Sequence, residues 1–236
     1  MNILITGASR GIGAQLALQL ANEQHRLILL ARNEADLKFT ADRCNDIAGS
    51  EIAYPLVFDL KELLTGNHDL SDRIRSVTAT LDTLVNNAGL LINESFERFN
   101  PEMSKRIFEA NYFAPEQLIR LCLPMLRESV SPSIINITSM GAVQGSIKFP
   151  GLSVYSASKG ALAILTECLA EEFKEDGIRV NALAIGAVQT EMLEKAFPDI
   201  RVTTSPEEMA QFFKWFVTAG YLRFNGKMLP VSDSTP

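Results

Sequence analysis

Seven short apolar runs alternate along the chain with longer segments in which apolar residues recur at helical spacing. Because continuous apolar runs are typical of strands buried in parallel sheets, these runs predict β-strands. They lie at residues 2–6, 26–31, 52–58, 83–85, 133–138, 178–184 and 227–231. The other segments predict helices after the first strand and at residues 33–48, 101–130, 155–175 and 206–219. This alternation, with no repeat and no linker-like stretch, predicts one α/β domain with a parallel sheet over residues 1–236.

The first strand runs directly into a glycine-rich turn, Gly7-Ala-Ser-Arg-Gly11-Ile-Gly13, and a helix follows it. Glycine lets a backbone turn tightly and approach a ligand, and the unpaired N–H groups at a helix start bind a pyrophosphate. Gly7, Gly11 and Gly13 are therefore candidate cofactor-binding residues. The spacing differs from the commonest dinucleotide fingerprint, so a plain tight turn is the alternative. The strand before the turn and the helix after it favour a dinucleotide site.

Two arginines bear on the choice of cofactor. Near the end of the second strand, where an NAD(H)-binding fold has an acidic residue, this chain has Ala31-Arg32-Asn33. An arginine there accommodates the 2′-phosphate of NADP(H), and Arg10 already lies in the glycine turn. Alternatively, Arg32 is a solvated residue before a helix that Asn33 caps. The missing acid favours NADP(H) over NAD(H).

Polar residues also follow the fourth strand, in the sequence Asn86-Asn87-Ala88-Gly89. Ligands of open α/β sheets bind at the carboxyl ends of strands, which favours a nucleotide here. A plain asparagine–glycine turn is the alternative. Further on, Asn111 lies among apolar residues of the predicted helix 101–130, where a buried amide needs hydrogen-bonding partners. Pro115 and Pro124 suggest kinks or a break in that helix.

The strongest candidate for chemistry is Tyr155-x-x-x-Lys159, at the start of a predicted helix. Residues four apart share a helix face, so the phenol would lie beside the ammonium. A neighbouring cation favours the phenolate and lowers the pKa of tyrosine towards the working range of an acid–base catalyst. An ordinary helix start with a half-buried tyrosine and a solvated lysine is the alternative for this pair taken alone.

The composition argues against several classes of protein and of binding site. A net charge of −6 and a pI near 5.1 argue against a nucleic-acid or anionic-membrane partner. The odd number of cysteines, at 44, 122 and 168, gives no disulfide framework and favours reduced thiols in the cytoplasm. No secretory segment precedes the first strand, and no apolar run is long enough to span a bilayer. His25 and His68 are the two histidines, so we expect no metal site.

Taken together, the motifs resemble those of the short-chain dehydrogenase/reductase family. The glycine turn, Asn86-Asn-Ala-Gly89, Asn111, Ser139 and Tyr155-x-x-x-Lys159 occur in the family's order over essentially the whole chain. The resemblance implies a doubly wound Rossmann fold, with a seven-stranded parallel sheet and helices on both faces. It also implies an oxidoreductase that transfers a hydride between NADP(H) and a carbonyl or secondary alcohol.

The resemblance assigns roles to the catalytic candidates. Tyr155 would exchange the proton with the substrate oxygen, and Ser139 would hydrogen-bond that oxygen. Lys159 would hold the cofactor's ribose hydroxyls and lower the pKa of the tyrosine. Asn111 would anchor a water through which the lysine exchanges protons. The remaining implied cofactor contacts are Gly7, Ser9, Arg10 and Ile12 at the phosphates and ribose, Asp59 and Leu60 at adenine, Asn86, Ala88 and Gly89 at the adenosine ribose, and Val188 and Thr190 at nicotinamide.

Several features depart from the family's pattern. Ile185 replaces the usual proline before Gly186, and the segment from Ser139 to Tyr155 is long, which leaves Thr138 as a competing hydroxyl. The substrate lid, about residues 190–206, is short, and three apolar members, Met192, Leu193 and Phe197, either line a pocket or form helix core.

Function and assembly leave alternatives at this stage. The substrate could be a ketone, a sugar, a steroid or a thioester-linked acyl group. The second reading of function is a catalytically silent, dinucleotide-binding regulatory or signalling protein. The complete set of Asn111, Ser139, Tyr155 and Lys159 favours the enzyme. By resemblance, a homodimer or homotetramer would form through helices 101–130 and 155–175.

Overall fold

All seven predicted strands form, each within one residue of its predicted bounds. The computed structural model describes residues 1–66 and 69–232, so His68 and the last four residues of the predicted domain lie outside the described residues. The strands are β1 (Asn2–Thr6), β2 (Arg26–Ala31), β3 (Ala53–Val57), β4 (Thr83–Asn86), β5 (Ser133–Ser139), β6 (Arg179–Ile185) and β7 (Met228–Val231).

The strands pair in parallel in the order β3-β2-β1-β4-β5-β6-β7. β1 lies beside both β2 and β4, so that Leu4 is aligned with Ile28 on one side and Leu84 on the other. The chain builds the sheet outward from β1 in one direction and then returns to extend it in the other. In open α/β sheets the carboxyl ends of the strands at such a reversal form the ligand crevice.

The helices are α1 (Gly11–Ala21), α2 (Glu34–Ala48), α3 (Leu70–Val77), α4 (Pro101–Phe108), α5 (Ala114–Arg127), α6 (Ser153–Glu172), α7 (Glu191–Ala196) and α8 (Pro206–Thr218). Side chains from α1, α2 and α8 form the core on one face of the sheet. Side chains from α3, α5 and α6 form a second core on the other face. The prediction of a doubly wound, seven-stranded parallel sheet with helices on both faces is confirmed. Within the described ranges, no helix has both the length and the apolar character needed to cross a bilayer.

The predicted helix 101–130 is interrupted near Pro115, one of the two prolines at which the sequence suggested a kink or a break. It ends at Arg127, and a π-helical turn, Glu109–Phe113, separates α4 from α5. Pro115 has no N–H, so the carbonyl of residue 111 lacks its α-helical donor, and the π turn lies just before this proline. Pro124, by contrast, lies inside α5 without breaking it. Asn111, at the centre of the π turn, is completely buried.

Candidate functional site

A cavity of about 1100 Å³ runs along the carboxyl edge of the sheet, where the chain reverses between β1 and β4. Most of the residues singled out from the sequence line it. They are Gly7, Ser9, Arg10, Gly11, Ile12, Arg32, Asp59, Leu60, Ala88, Gly89, Ser139, Tyr155, Lys159, Val188 and Thr190. Three predicted residues do not line the cavity, namely Gly13, Asn86 and Asn111. Each of the three has a structural position that explains its absence.

The glycine turn forms one wall of the cavity. Gly7 has a φ of +67° and Gly11 a φ of +57°, conformations that favour glycine. Gly13 lies behind the turn, where a β-carbon would collide with the carbonyl oxygen of Gly7 and lie 2.6 Å from Asn87 Nδ2. Gly13 thus permits close packing of α1 on the turn and β4, while Gly7 and Gly11 face the ligand space. Ile12, at the start of α1, lines the same wall.

The two asparagines at the end of β4, Asn86 and Asn87, have different roles. The sequence-based prediction placed Asn86 at the cavity, but Asn87 lines it. Alternate residues of a strand face opposite sides, so Asn86 points with Leu84 into the core, where its Nδ2 donates to Asn136 Oδ1 at 2.8 Å. Asn136 in turn donates to Thr166 Oγ1 on α6 at 2.9 Å. Asn87 instead lines the cavity, and its Nδ2 donates to the carbonyl of Thr6 at 2.9 Å. Asn87 thereby fixes the glycine turn to the end of β4.

Both predicted phosphate-binding arginines lie on the cavity with a carboxylate beside them. Arg10 Nη1 lies 2.5 Å from Oε2 of Glu191, the first residue of α7. Arg32 Nη1 lies 3.7 Å from Asp59 Oδ2. Both guanidinium groups are more than half exposed, so solvent screens these ion pairs and leaves the cations available to an anionic ligand. Asn33 caps α2, as the alternative reading of Arg32 expected, since its side chain accepts from Asp36 N.

Ser139, Tyr155 and Lys159 meet at the other end of the cavity. Ser139 ends β5, and its hydroxyl accepts from the backbone N–H of Gly141 at 3.1 Å. The same hydroxyl lies beside the phenol of Tyr155 and acts to lower the pKa of the tyrosine. Lys159, one helical turn beyond Tyr155 and 4% exposed, donates from Nζ to the carbonyl of Ile137 at 2.8 Å. The three polar groups converge because β5 ends beside the first turn of α6.

The same geometry decides whether Thr138 or Ser139 is the hydroxyl beside the tyrosine. Its side chain is buried and donates to the carbonyl of Leu183 at 3.3 Å, between β5 and β6. A hydroxyl occupied in this way is not directed at a substrate. Ser139 is therefore the hydroxyl beside the tyrosine, as the sequence-based assignment had it.

The electrostatics of the pair differ from the expectation. Burial raises the pKa of Tyr155 to about 12, and the neighbouring Ser139 hydroxyl offsets only part of that rise. Burial lowers the pKa of Lys159 to about 8. The ammonium is directed at the carbonyl of Ile137, and the lysine does not lower the pKa of the tyrosine as expected. Tyr155 is therefore protonated, and ready to donate, across the neutral range.

Asn111 does not line the cavity, but it holds together two segments that do. Its side-chain amide pairs with the backbone of Leu90, accepting from the N–H at 2.8 Å and donating to the carbonyl at 2.9 Å. It also donates to Ser158 Oγ at 3.0 Å. A β-carbon at Gly89 would come within 3.3 Å of Lys159 Nζ and 3.2 Å of Asn111 Oδ1. The buried amide thus holds the loop after β4 against α6 and leaves space above the lysine.

The lid closes the far end of the cavity with apolar side chains. Thr190 caps α7 by accepting from Leu193 N, and Met192, Leu193 and Phe197 line the cavity, which is one of the two alternatives that the sequence left open. The lid is tied to the loop after β4, since Asn93 Nδ2 donates to the carbonyl of Ala196 at 2.8 Å. Of the described residues, no three His, Cys, Asp or Glu side chains come together as a metal site.

Comparison with known proteins identifies relatives of the whole domain. The family model for short chain dehydrogenases matches residues 1–201. Ketoacyl reductase HetN of Nostoc sp. is 34% identical over 186 residues, which cover 79% of this chain and 63% of that protein. A putative short chain dehydrogenase of Escherichia coli CFT073, solved with NADPH, superposes with a TM-score of 0.87 at 28% identity, covering 97% of this chain and 95% of its own. A 3-ketoacyl-(acyl-carrier-protein) reductase of Brucella melitensis, solved with NADH, has a TM-score of 0.85 at 25% identity and covers 99% and 97%.

Proposed function

The chain belongs to the short-chain dehydrogenase/reductase family, a family of oxidoreductases, and from that premise we propose that it is an NADP(H)-dependent carbonyl reductase. The reaction is C=O + NADPH + H⁺ → CH–OH + NADP⁺, and its reverse is the oxidation of a secondary alcohol. The observation that carries the proposal is the convergence of Ser139, Tyr155 and Lys159 at one end of a dinucleotide-sized cavity.

The residues present fit a dinucleotide. Gly11 leaves space where a β-carbon would stand, Gly7 lets the turn pack closely on Asn87 and Ala88, and the N-terminus of α1 offers unpaired N–H groups to a pyrophosphate. Arg10 and Arg32 offer charge-assisted hydrogen bonds to a 2′-phosphate. The relatives solved with NADPH and with NADH make both cofactors possible in such a fold, so the preference for NADP(H) rests on the two arginines.

The protein's part in the reaction is to position groups and to move a proton. The bound nicotinamide supplies or accepts the hydride. Ser139 hydrogen-bonds the substrate oxygen and orients it towards Tyr155. Tyr155 donates its phenolic proton to that oxygen as negative charge develops, and a raised pKa keeps that proton in place at neutral pH.

Lys159 links the proton donor to the cofactor and to solvent. Its ammonium would leave the carbonyl of Ile137 for the ribose hydroxyls, and there it would stabilise the phenolate that forms at Tyr155. Asn111 would anchor a water through its main-chain carbonyl, because Pro115 cannot donate to that oxygen. Such a water would return a proton to the lysine after each turnover.

The experiment is NADPH oxidation by the purified protein with a panel of aldehydes and ketones, for the natural chain and for Tyr155→Phe. We expect turnover in the natural chain, a loss of about 10²–10⁴-fold in the variant, and an unchanged Kd for NADPH. Tyr54→Phe is the matched control, since the Tyr54 hydroxyl donates to the carbonyl of Glu51, before the amino end of β3, and Tyr54 does not line the cavity. Equal turnover in Tyr155→Phe would contradict the assignment. NADPH binding without turnover on any carbonyl would favour the regulatory reading.

A further inference from the structure

Ser156 places a second serine hydroxyl beside the reacting centre. It follows Tyr155 directly on α6, and both residues line the cavity. A β-carbon at Gly141 would lie 2.5 Å from Ser156 Oγ and 3.5 Å from Ser139 Oγ. The two serine hydroxyls therefore flank one glycine, at the end of the cavity where Tyr155 lies.

Gly141 is needed here for space and not for backbone freedom. Its φ does not lie in the left-handed region, so the backbone conformation is open to other residues. A β-carbon, however, would approach Ser156 Oγ more closely than real β-carbons do, and the hydroxyl would have to move away. The glycine therefore allows the Ser156 hydroxyl to remain close to Ser139.

The hydroxyl of Ser156 differs from two others on the same helix. Ser158 Oγ donates to the carbonyl of Tyr155 at 2.7 Å, and Thr166 Oγ1 donates to the carbonyl of Leu162 at 2.8 Å. Such bonds to the helix backbone are usual for serine and threonine. Within residues 1–66 and 69–232, the Ser156 hydroxyl has no hydrogen-bonding partner. Its donor and acceptor capacity is therefore available to a ligand in the cavity.

Apolar side chains adjoin this hydroxyl along the chain. Leu152 lies one turn before Ser156, whose N–H donates to its carbonyl at 2.8 Å, and Met140 precedes Gly141. Both apolar residues line the cavity. A ligand that covers this wall removes water from the Ser156 hydroxyl, and a hydroxyl without a partner is costly. A ligand with an oxygen at this point avoids that cost.

We propose, on the basis of the function proposed above, that Ser156 determines substrate specificity by a hydrogen bond to a second oxygen of the substrate. The reacting carbonyl oxygen would lie at Ser139 and Tyr155, and the second oxygen would lie at Ser156. Because both serine hydroxyls flank Gly141, they suit two oxygens on neighbouring carbons. The substrate class is therefore a ketone with an oxygen on the adjacent carbon, as in an α-diketone or an α-hydroxyketone.

The test is the discrimination between 2,3-hexanedione and 2-hexanone in reduction with NADPH. In Ser156→Ala, the ratio of kcat/KM for the diketone to kcat/KM for the monoketone should fall about tenfold, the effect of roughly one hydrogen bond. The higher intrinsic reactivity of the diketone is the same for both enzymes and cancels in this comparison. For 2,5-hexanedione, an isomer whose second carbonyl is more distant, the ratio to 2-hexanone should stay within about twofold.

Gly141→Ala provides an independent second variant. Its β-carbon would displace the Ser156 hydroxyl without removing it, so the same ratio should fall by a similar factor. In the Ser156→Ala background this change should have little further effect on the ratio, because the hydroxyl is already absent. Ser153→Ala, at an exposed serine of α6 that does not line the cavity, is the matched control and should leave the ratio as it is.

The outcomes separate this proposal from the proposed function. An unchanged ratio in Ser156→Ala, or an equal fall for 2,3-hexanedione and 2,5-hexanedione, overturns the role of Ser156 while carbonyl reduction stands. Reduction of 2-hexanone but not of 2,3-hexanedione by the natural chain overturns it as well. If the natural chain reduces no carbonyl compound with NADPH, the proposed function fails first.

Discussion

Glu191 Oε2 lies 2.5 Å from Arg10 Nη1, so the first residue of the lid helix α7 contacts a cation of the glycine turn. Glu191 also pairs with Lys195 one turn further along α7. These partners, with the bond to Lys195 the largest influence, hold the pKa of Glu191 below its usual range, and the carboxylate stays charged at neutral pH. A 2′-phosphate that binds Arg10 would therefore compete with this internal anion.

Glu191→Gln should therefore strengthen binding of NADPH and leave binding of NADH nearly unchanged. Because solvent screens this exposed ion pair, we expect the Kd for NADPH to fall only about two- to fivefold. Nicotinamide fluorescence measures both constants. Glu194→Gln, on the same helix but paired with Gln189, is the matched control. A weaker affinity for NADPH in Glu191→Gln would mean that the carboxylate positions Arg10 for the phosphate.

The role of Arg32 can be tested by reversing the preference between NADPH and NADH. The double variant Ala31→Asp with Arg32→Ala removes a cation and adds an acid that repels a 2′-phosphate and accepts hydrogen bonds from a bare ribose. One charge-assisted hydrogen bond contributes about 1.5–3 kcal/mol, so the natural preference for NADPH should be roughly 10- to 150-fold in kcat/KM and should invert. Steady-state kinetics with each cofactor measure it. Equal use of both cofactors by the natural chain would make Arg32 only a partner of Asp59.

The neighbouring hydroxyls of Thr138 and Ser139 should behave differently on removal. Ser139→Ala is expected to lower kcat/KM by about 10²-fold, because a group that hydrogen-bonds the developing charge is lost, while the Kd for NADPH holds. Thr138→Ala should leave kcat within about twofold and lower the free energy of unfolding by about 1 kcal/mol, since its bond to Leu183 is structural. Kinetics and urea unfolding of both variants decide the matter. The opposite pattern would place the substrate at Thr138.

Lys159 should set the alkaline limit of activity. A lysine whose pKa burial has lowered to about 8 loses its proton above that pH in the free enzyme. We therefore expect kcat/KM for carbonyl reduction to be level below about pH 8 and then to fall about tenfold per pH unit. Lys159→Arg, although slower, should lose this limb because guanidinium stays charged. An unchanged limb in Lys159→Arg would assign it to another group.

The same lysine should cost stability in the absence of cofactor. Below pH 8 it is protonated in both folded and unfolded chains, so the penalty of burying its charge is complete. Between about pH 8 and 10.5 the unfolded chain holds a proton that the folded chain has released, and the penalty shrinks as the pH rises. Lys159→Met should raise the Tm by about 2–6 °C at pH 7, less at pH 9.5, and abolish turnover. Lys38→Met, at an exposed lysine, should do neither.

The sequence alone predicted the succession of strands and helices along the chain and most of the residues that line the cavity. Apolar runs mark buried strands directly, and Ser139, Tyr155 and Lys159 meet because parallel strands and their following helices share one edge of the sheet. The choice between Asn86 and Asn87 was also within reach, because alternation along β4 places Asn86 on the same side as Leu84.

Other features depend on contacts between distant segments. The π turn at Glu109–Phe113 arises where Asn111 pairs with the backbone of Leu90, 21 residues away in the sequence. Proline at 115 signals a disturbed helix, but it does not say whether the helix kinks, ends or widens. The raised pKa of Tyr155 depends on how deeply the tyrosine lies, and the spacing to Lys159 carries no information on depth.

The buried chain of hydrogen bonds from Asn86 through Asn136 to Thr166 has a consequence for heat inactivation. It joins β4 and β5 to α6 within the core, and the same helix presents Tyr155 and Lys159. A buried amide that loses its hydrogen-bonding partner raises the free energy of the core. Detachment of α6 from an intact sheet is therefore unfavourable. Activity and the sheet should therefore be lost in a single transition on warming, with no folded but inactive species before it.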